Sequence, residues 1–269
     1  MRKGEWNSRP KKSEGRGDRP GRPPPRDRFR PGASPDGPAI LYGIHTVKAA
    51  LENPKRRIRR LLTTENALRR LREDGAPITL EPEMVRPDQL AARLGPEAVH
   101  QGVLAEADSL PALDVEDIEE GLVLVLDQIT DPHNVGAIFR TAAAFAATAI
   151  VTTARHSPEA TGVLAKAASG ALELVPLVTV QNLSRGLAEL KERGFLLVGL
   201  DSSGDSDLAA TSLRAPLALV LGAEGKGLRQ LTRETCDYVA RLDMPGAIKS
   251  LNVSNAAALA MYVATTRLK

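Results

Sequence analysis

Apolar residues in the second half of the chain form five short, nearly uninterrupted runs. The runs are GLVLVL at 121–126, TAIVT at 148–152, LVPLV at 174–178, FLLVGL at 195–200 and PLALVL at 216–221. Runs of this length without a polar face are typical of parallel strands that are buried on both sides. Helices are predicted between and after them, at 134–147, 159–170, 183–193 and 227–236. The alternation predicts an α/β fold with a parallel sheet over residues 121–269.

A smaller alternation of elements precedes this sheet. Helical patterns after Gly43, at 65–74 and at 88–94 alternate with strand-like runs at 57–64 and 99–107. These elements predict a compact α/β domain over residues 39–107. The polar, acidic segment 108–120 is then a linker between the two domains.

Residues 1–38 lack any such patterning. They hold 8 of the 19 prolines and 6 of the 22 glycines, with almost no aliphatic residues. Such a segment cannot bury enough apolar surface to offset its chain entropy. We expect a disordered basic arm, with loose RNA contact and simple solubilisation as the alternative roles.

Charge is distributed unevenly, although the net charge is only +3. Residues 1–38 contain 11 basic and 5 acidic residues, residues 39–72 contain 9 and 2, and residues 73–269 contain 16 and 26. A cationic N-terminal quarter on an acidic body indicates a polyanionic partner. The folded candidates for contact with an RNA backbone are five neighbouring basic residues, Lys55, Arg56, Arg57, Arg59 and Arg60.

Composition excludes several other classes. A single cysteine, Cys236, rules out an internal disulfide framework and favours a reduced, cytoplasmic compartment. The four histidines lack metal-ligand spacing, so no metal site is predicted. No apolar stretch approaches the roughly 18 residues of a membrane span, and we expect a soluble protein that is not exported.

Three polar segments each follow a strand-like run and open a helical one. All three are therefore expected at the carboxyl edge of the sheet, where α/β folds build their sites. In the first, NVGAIFR at 134–140, Asn134 lies at a predicted helix start and Arg140 in the second turn. A helix start and a guanidinium suit a phosphate. A helix cap at Asn134 and a surface charge at Arg140 are the alternatives.

The other two segments are a glycine-rich turn and a polar helix start. The turn, LVLGAEGKGL at 219–228, fits neither the dinucleotide fingerprint nor the P-loop, but its bare backbone would let a nucleotide-like ligand approach closely. The helix start lies in LDMPGAIKSLNVSNAAALA at 242–260 and gathers four hydrogen-bonding side chains, Ser250, Asn252, Ser254 and Asn255. One cap suffices for stability. The surplus indicates a ligand, with bonds to their own backbone as the alternative.

In this order and spacing, the three segments resemble the signature motifs of the SpoU (TrmH-like) branch of the SPOUT RNA methyltransferases. In addition, YGIHTVKAAL at 42–51 and VHQGVLAEA at 99–107 resemble the substrate-binding domain of the bacterial 23S ribosomal RNA guanosine 2′-O-methyltransferases. The resemblance covers residues 39–269. It implies an α/β-knot catalytic domain, with a deep trefoil at its C-terminus, behind a ribosomal-protein-like RNA-binding domain. It also implies S-adenosylmethionine as methyl donor and a homodimer.

The resemblance also assigns roles to single residues. Those implied to hold S-adenosylmethionine are Gly222, Leu242, Met244, Pro245, Gly246 and Leu251, and those implied to be catalytic are Asn134, Arg140, Glu224, Ser250 and Asn252. A guanidinium holds its proton too tightly to act well as a general base. We therefore expect Arg140 to grip a phosphate and the 2′-oxygen while the phosphate or water assists deprotonation. Asn134 is expected to orient Arg140 or the ribose, and Glu224 to contact the substrate or Arg140.

The sequence therefore predicts methyl transfer from S-adenosylmethionine to the ribose 2′-hydroxyl of a guanosine in 23S ribosomal RNA. Methylation of a transfer RNA ribose is one alternative, and the VHQGV domain favours ribosomal RNA over it. A non-catalytic RNA-binding or ribosome-assembly protein of the same fold is the other. The intact motif residues, Asn134, Arg140, Glu224, Ser250 and Asn252, argue against it.

Overall fold

The computed structural model describes residues 1, 37–155, 158, 160, 162–248 and 250–268. The predicted basic arm lies almost wholly outside the described residues.

The first part of the chain forms a four-stranded sheet in the order β1-β4-β2-β3. Strand β4 pairs antiparallel with both β1 and β2, and β2 pairs parallel with β3. The elements in chain order are β1 (Ala39–Tyr42), α1 (Ile44–Glu52), β2 (Ile58–Thr63), α2 (Glu65–Glu73), β3 (Glu83–Met84), α3 (Pro87–Leu94) and β4 (Val103–Ala107).

The second part forms a seven-stranded sheet in the order β7-β6-β5-β10-β8-β11-β9, in which every pairing is parallel. The predicted α/β class with a parallel sheet is confirmed. The elements in chain order are β5 (Leu122–Asp127), α4 (Pro132–Ala144), β6 (Ala149–Thr153), α5 (Gly162–Ala168), β7 (Leu177–Val180), α6 (Leu183–Glu192), β8 (Leu196–Leu200), β9 (Ser206–Asp207), β10 (Leu217–Gly222), α7 (Gln230–Thr235), β11 (Tyr238–Arg241) and α8 (Val253–Arg267).

Helices cover both faces of this sheet. Aliphatic residues of β5, β8 and β10 point alternately into two cores, since successive strand residues face opposite sides. Helices α4, α5 and α8 cover one face and α6 covers the other, with Leu183, Leu187 and Leu190 buried beneath it. Burial on both faces explains why the strands lack polar alternation.

Five strands differ from the prediction. No strand was predicted at the positions of β1, β3, β9 and β11, and the run AILY that forms β1 lies just before the helical pattern predicted after Gly43. The strand predicted at 174–178 begins at Leu177, because Ala171–Glu173 form a 3-10 turn and Leu174 is exposed. Short apolar runs carry no periodicity that separates strand from helix, so their limits are poorly determined.

The last connection crosses back over the sheet. From β11, which β8 and β10 separate from β5, the chain returns along the carboxyl edge and enters α8. Helix α8 packs on α4 and against β10. This backward crossing is consistent with the trefoil that the resemblance implies.

Helix α1 of the first part lies against the second part. The Thr46 hydroxyl donates to the carbonyl of Ala165 at 3.2 Å. A Cβ placed on Gly170 would lie 2.7 Å from the Ala49 Cβ, so the two backbones approach as closely as glycine permits. One continuous apolar cluster runs from Leu41 and Val47 into the residues beneath α5.

Candidate active site

The three predicted motifs emerge at the same edge of the large sheet. Asp127, the last residue of β5, pairs in register with Gly222, the last residue of β10. Strand β8 lies beside β10, and β11 follows with Ala240 opposite Leu200. Since all these strands are parallel, the loops that leave them begin side by side.

The first motif begins inside a helix rather than at its cap. Asp131 is the N-cap of α4, and its carboxylate accepts from the backbone N–H of His133 at 3.1 Å. Pro132 occupies the first helical position, where the missing N–H costs nothing. The alternative that Asn134 is a cap is therefore wrong, and its side chain is available for another contact.

That contact joins the first motif to the third. The Nδ2 of Asn252 donates to the Oδ1 of Asn134 at 2.9 Å, although 118 positions separate them in sequence. Asn252 also caps α8, because its Oδ1 accepts from the N–H of Ser254 at 2.9 Å and from the Ser254 hydroxyl at 2.6 Å. Asn134, Asn252 and Ser254 are all half-buried. The hydrogen bond between the two asparagines therefore holds the first turns of α4 and α8 against each other.

Arg140 projects from the exposed side of α4. Its neighbours Ile138 and Phe139 are fully buried, which fixes the helix and therefore the direction of the arginine side chain. Arg140 makes no hydrogen bond or ion pair within the described part of the chain. The expected hydrogen bonds between Arg140 and Asn134 or Glu224 are therefore not formed in this structure, and among the described residues the guanidinium has no anionic partner.

The second motif folds into a closed turn. The N–H of Gly227 donates to the carbonyl of Ala223 at 2.9 Å, and Gly225 and Gly227 have φ of 77° and 65°. A Cβ on Gly222 would lie only 2.2 Å from the carbonyl carbon of Gly227. Position 222 therefore requires glycine because the backbone of Gly227 returns against it. The sequence alone indicated a different reason for the bare backbone of this turn, the close approach of a ligand.

Two carboxylates that sequence analysis missed anchor this turn. The fully buried side chain of Asp127 accepts from the backbone N–H of Arg229 at 3.1 Å and from its Nε at 2.6 Å. On the other side, Asp201 Oδ2 accepts from the N–H of Leu228 at 3.3 Å. Both aspartates directly follow apolar strand runs, and that position is the only sequence signal they carry.

The environment of Asp201 lowers its pKa. Burial alone would raise the pKa, but hydrogen bonds from the side chain and backbone of Ser203 and from Leu228, together with the charge of Arg233, outweigh that effect. The group is therefore a carboxylate at neutral pH and an acceptor for the turn.

The third motif forms a half-buried loop between β11 and α8. The N–H of Asp243 donates to the Oδ2 of Asp207 at 2.8 Å, which ties the loop to β9. The side chains of Leu242, Met244 and Leu251 are half-buried, whereas Pro245 and Gly246 are exposed. Along this loop, the backbone N–H groups of Gly246 and Leu251 make no hydrogen bond to any described residue.

These residues fit the methyl donor that the resemblance implies. Unpaired backbone N–H groups can bind the edge of an adenine, and half-buried aliphatic side chains can pack on its faces. A Cβ on Gly246 would meet no atom of a described residue within 4 Å, so this side of the loop is open with respect to the described part of the chain. The sequence-predicted residues Gly222, Leu242, Met244, Gly246 and Leu251 thus belong to two loops on one edge, together with exposed Glu224 and Ser250.

The cationic cluster is divided by the structure. Lys55, Arg57 and Arg59 are exposed, and Arg59 also pairs with Asp108. Arg60 forms ion pairs with Glu83 at 2.6 Å and Glu106 at 3.1 Å. Its partners raise the pKa of Arg60, the Glu83 hydrogen bond contributing most.

Arg56 points in the opposite direction from its neighbours. Its side chain is 4% exposed and binds Glu173, which is 2% exposed, at 2.6 Å. The prediction that Arg56 contacts an RNA backbone is corrected, since its guanidinium is buried against the second part of the chain.

A cavity of about 660 Å³ lies between the two parts of the chain. It is lined by Asn53, the linker at 109–114 and the start of β7. No residue of the three motifs lines it, so it is separate from the candidate active site.

Comparison with known proteins decides the family. Residues 121–262 match the model of the SpoU rRNA methylase family, and residues 40–112 match that of the RNA 2′-O ribose methyltransferase substrate-binding domain. The chain belongs to the SpoU rRNA methylase family. A relative from Pseudomonas putida, named 23S rRNA (guanosine-2′-O-)-methyltransferase, is 37% identical to this SpoU methylase over 234 residues, which cover 83% of this chain and 94% of that protein.

Solved structures agree with the family. The SpoU methyltransferase AviRb from Streptomyces viridochromogenes, in complex with the cofactor AdoMet, has a TM-score of 0.72 and 27% identity and matches 86% of this SpoU methylase and 90% of that chain. A TrmH/SpoU tRNA modifying enzyme from A. aeolicus has a TM-score of 0.51 and 27% identity, and matches 57% of this chain and 78% of that one.

Membrane-spanning helices and clusters of metal ligands are both absent from the described residues. None of the helices there has the length and apolar character needed to cross a membrane. In the same residues, no three His, Cys, Asp or Glu side chains are grouped so that they could hold a metal ion.

Proposed function

We propose that this SpoU methylase transfers a methyl group from S-adenosylmethionine to the ribose 2′-hydroxyl of a guanosine in 23S ribosomal RNA. The observation that carries the proposal is the hydrogen bond between Asn252 and Asn134, which joins the third motif to the first. Asn134 lies on α4, the same helix that carries Arg140. The name and the extent of the Pseudomonas putida relative support the choice of guanosine and of ribosomal RNA.

The loops at 222–228 and 242–251 hold the methyl donor, with backbone groups of Gly222, Gly246 and Leu251 facing its adenosine and the side chains of Leu242 and Met244 packing on it. When bound, S-adenosylmethionine supplies a methyl group on a sulfonium centre. The 2′-oxygen forms a bond to that carbon while the carbon–sulfur bond breaks, and sulfur keeps the electron pair. The loops therefore have to fix the donor in line with the 2′-oxygen.

Arg140 binds the RNA at the reacting ribose. A guanidinium stays protonated at neutral pH and offers a planar fork of N–H donors, so it suits a phosphate and a developing alkoxide rather than the role of base. The proton of the 2′-hydroxyl leaves to the adjacent phosphate or to water. Stabilisation of negative charge on the 2′-oxygen is the contribution of Arg140 to the transition state.

The remaining polar residues shape the pocket around this arginine. Asn134 and Asn252 hold the helix starts of α4 and α8 at a fixed separation. Glu224 and Ser250 are exposed at the same edge, and we assign them to contacts with the RNA substrate. A ribose hydroxyl can donate to a carboxylate and exchange a hydrogen bond with a serine.

The first domain holds the RNA by its backbone. Lys55, Arg57 and Arg59 present exposed cationic groups from one segment, with Arg60 beside them. Their contacts with phosphates position the RNA without reading its sequence. We place this reaction in the cytoplasm, with ribosomal RNA as the partner.

The active form is a homodimer. On α8, Leu259 is 47% exposed and Tyr262 is 57% exposed, and they are three positions apart, so they lie on one face of the helix. A second copy of this chain would bury that face in an isologous contact. Light scattering should give twice the monomer mass for the parent protein and the monomer mass for Tyr262→Asp, and an unchanged mass for the variant would contradict this contact.

The transfer RNA alternative has less support. The similarity to the tRNA modifying enzyme covers 57% of this chain, whereas the ribosomal RNA relative aligns with 83% of it. Radiolabelled S-adenosylmethionine incubated with separate ribosomal and transfer RNA transcripts distinguishes the two substrates. Label in an alkali-resistant linkage of the ribosomal transcript supports the proposal, and label confined to transfer RNA or to a base overturns it.

A further inference from the structure

The ion pair between Arg56 and Glu173 connects the RNA-binding part of the chain to the catalytic part. The Glu173 carboxylate accepts hydrogen bonds from Nη2 of Arg56 at 2.6 Å, from Nε of Arg56 at 3.1 Å and from Nδ2 of Asn53 at 2.7 Å. A further donor of Arg56, Nη1, binds the carbonyl of Asp108 at 2.9 Å. Both charged groups are almost completely removed from water, and hydrogen bonds satisfy them only when the two parts dock in one orientation.

Such a pair is a weak source of stability. Removing two charges from water costs about as much as their attraction returns, and well-packed apolar residues often stabilise an interface equally well. A buried ion pair differs from an apolar contact because its hydrogen bonds are directional. A small shift of one part of the chain against the other would leave the two buried charges unpaired. The ion pair between Arg56 and Glu173 therefore fixes the orientation of the two parts of the chain, and it contributes little to the free energy that holds them together.

Helix α1 is also held at its other end. The Oε1 of Gln101 accepts from the backbone N–H of Ile44 at 3.1 Å and from Nζ of Lys166, on α5, at 2.9 Å. A Cβ on Gly43 would lie 2.5 Å from that Nζ, so the lysine crosses the bare backbone of Gly43. Contacts at both ends of α1 fix its rotation as well as its position.

The contact continues without a gap to the helix that carries Arg140. Helix α5 packs so closely on α4 that a Cβ on Gly136 would lie 2.4 Å from the Ala167 Cβ. Gly136 and Arg140 belong to the same helix. On the other side, Arg56 is the direct neighbour of Lys55 and Arg57, and the Arg57 side chain is 84% exposed.

We propose that Arg56 is a positioning residue that, through Glu173, sets the span between the exposed RNA-binding segment and Arg140, and so selects which nucleotide of a bound RNA is methylated. The inference rests on the proposed function. RNA phosphates held by Lys55 and Arg57 then define a fixed distance to the reacting ribose. Loosening the ion pair lets neighbouring riboses reach Arg140.

The test replaces the pair by apolar side chains of similar length, Arg56→Met with Glu173→Met, so that no charge is left uncompensated. The matched control is Arg185→Met with Glu189→Met, which removes an exposed ion pair of 3.4 Å within α6. Methylated positions are mapped along a long ribosomal RNA transcript for each protein. Affinity for S-adenosylmethionine is measured by calorimetry.

Methylation by the parent and the control is expected at one nucleotide. For the double-methionine variant, the ratio of that product to products at neighbouring nucleotides should fall by about 100-fold, the effect typical of a misplacement near 1 Å. Its kcat at the original nucleotide should fall while its affinity for the methyl donor stays that of the parent, a split that general destabilisation would not produce. An unchanged product ratio overturns the proposal. If that variant does not fold, Arg56→Lys takes its place, because lysine keeps the charge but cannot form the same set of hydrogen bonds. Its product ratio should also fall, and an unchanged ratio would again overturn the proposal.

A second measurement does not depend on the reaction. Spin labels at Glu73→Cys and Glu192→Cys, both exposed positions on opposite parts, are placed in a Cys236→Ala background. The distance distribution between the labels should broaden when the methionine pair is introduced and stay narrow in the control. Absence of methylation by the parent protein would refute the proposed function alone, whereas a narrow distribution in the methionine variant would refute the positioning role.

Discussion

At the scale of single residues, the features that matter most are the partners that side chains have or lack. Arg140 is exposed without a partner in the described part of the chain, whereas Arg56, equally basic and in a more basic segment, is buried against Glu173. The sequence motifs singled out Arg140, whereas composition alone grouped Arg56 with its basic neighbours. The direction of a side chain in a loop depends on tertiary contacts that local sequence does not encode.

Replacing Arg140 by Lys tests the bidentate role. Lysine keeps the charge but offers no planar fork, so kcat should fall by roughly 10²–10³, the usual cost of one donor to a developing oxyanion. Binding of S-adenosylmethionine should stay that of the parent in calorimetry. Arg185→Lys on the exposed face of α6 serves as the control, and parent-like kcat for Arg140→Lys would refute the role.

At the scale of elements, the central strands of the large sheet were predictable, but the last two strands on one side of it, β11 and β9, were not. The long apolar runs of β5, β8 and β10 predicted buried parallel strands, because both their faces are covered. Strand β11, with Tyr238 exposed and Arg241 at its end, has no apolar run, and β9 has two residues. Strand β9 is the edge of the sheet and β11 lies beside it, and the pairing of both depends on neighbouring strands more than on their own sequence.

The same limit applies to the glycine-rich turn. The sequence indicated a ligand-binding loop after β10, but the anchors of that loop lie at the ends of two other strands, Asp127 as the last residue of β5 and Asp201 directly after β8. The motif predicted the location of the site, and only the fold identifies the carboxylates that maintain its shape.

Adding a methyl group to Gly222 should disturb this turn. The new Cβ would overlap the backbone of Gly227, so Gly222→Ala should lower the free energy of unfolding by about 1–3 kcal/mol, as overpacking does. Gly246→Ala, where a Cβ meets no described residue within 4 Å, should unfold at the parent's urea concentration. Equal stability of both variants would show that the turn is not closed as described.

Acid should release the same turn. Because the pKa of Asp201 is lower in the folded chain than its ordinary value of 3.8, its carboxylate stabilises the fold above that pH, and the contribution is lost as the pH falls through the folded pKa. The difference in melting temperature between the parent and Asp201→Asn should therefore be largest near neutral pH and shrink below about pH 4. A difference that is constant from neutral to acid pH would contradict this assignment.

At the scale of the whole molecule, the two parts of the chain form one continuous body. Helix α1 contributes to the core beneath α5 and is tied to it at both ends. Sequence patterning predicted two domains and a linker, since each sheet has its own alternation. It could not predict the docking, because the residues that form it, such as Gly43, Gln101 and Glu173, carry no shared periodicity.

The N-terminal arm should add salt-sensitive affinity for RNA. Residues 1–38 carry 11 basic residues, and each cationic contact with a phosphate releases about 0.7–0.9 of a counterion. Deleting residues 1–36 should make the plot of log affinity against log salt concentration shallower and leave the methylated nucleotide unchanged. The same slope before and after deletion would show that the arm does not bind RNA.

The central claim is that the loops leaving β5, β10 and β11 form one methyl-donor site beside Arg140. Hydrogen exchange with and without S-adenosylmethionine tests it most directly, because it reports where the donor binds. We expect slower exchange at 222–228 and 242–251 and no change around the cavity lined by Asn53 and the linker at 109–114. Protection at that cavity, or at neither loop, would show that the methyl donor does not bind between these loops.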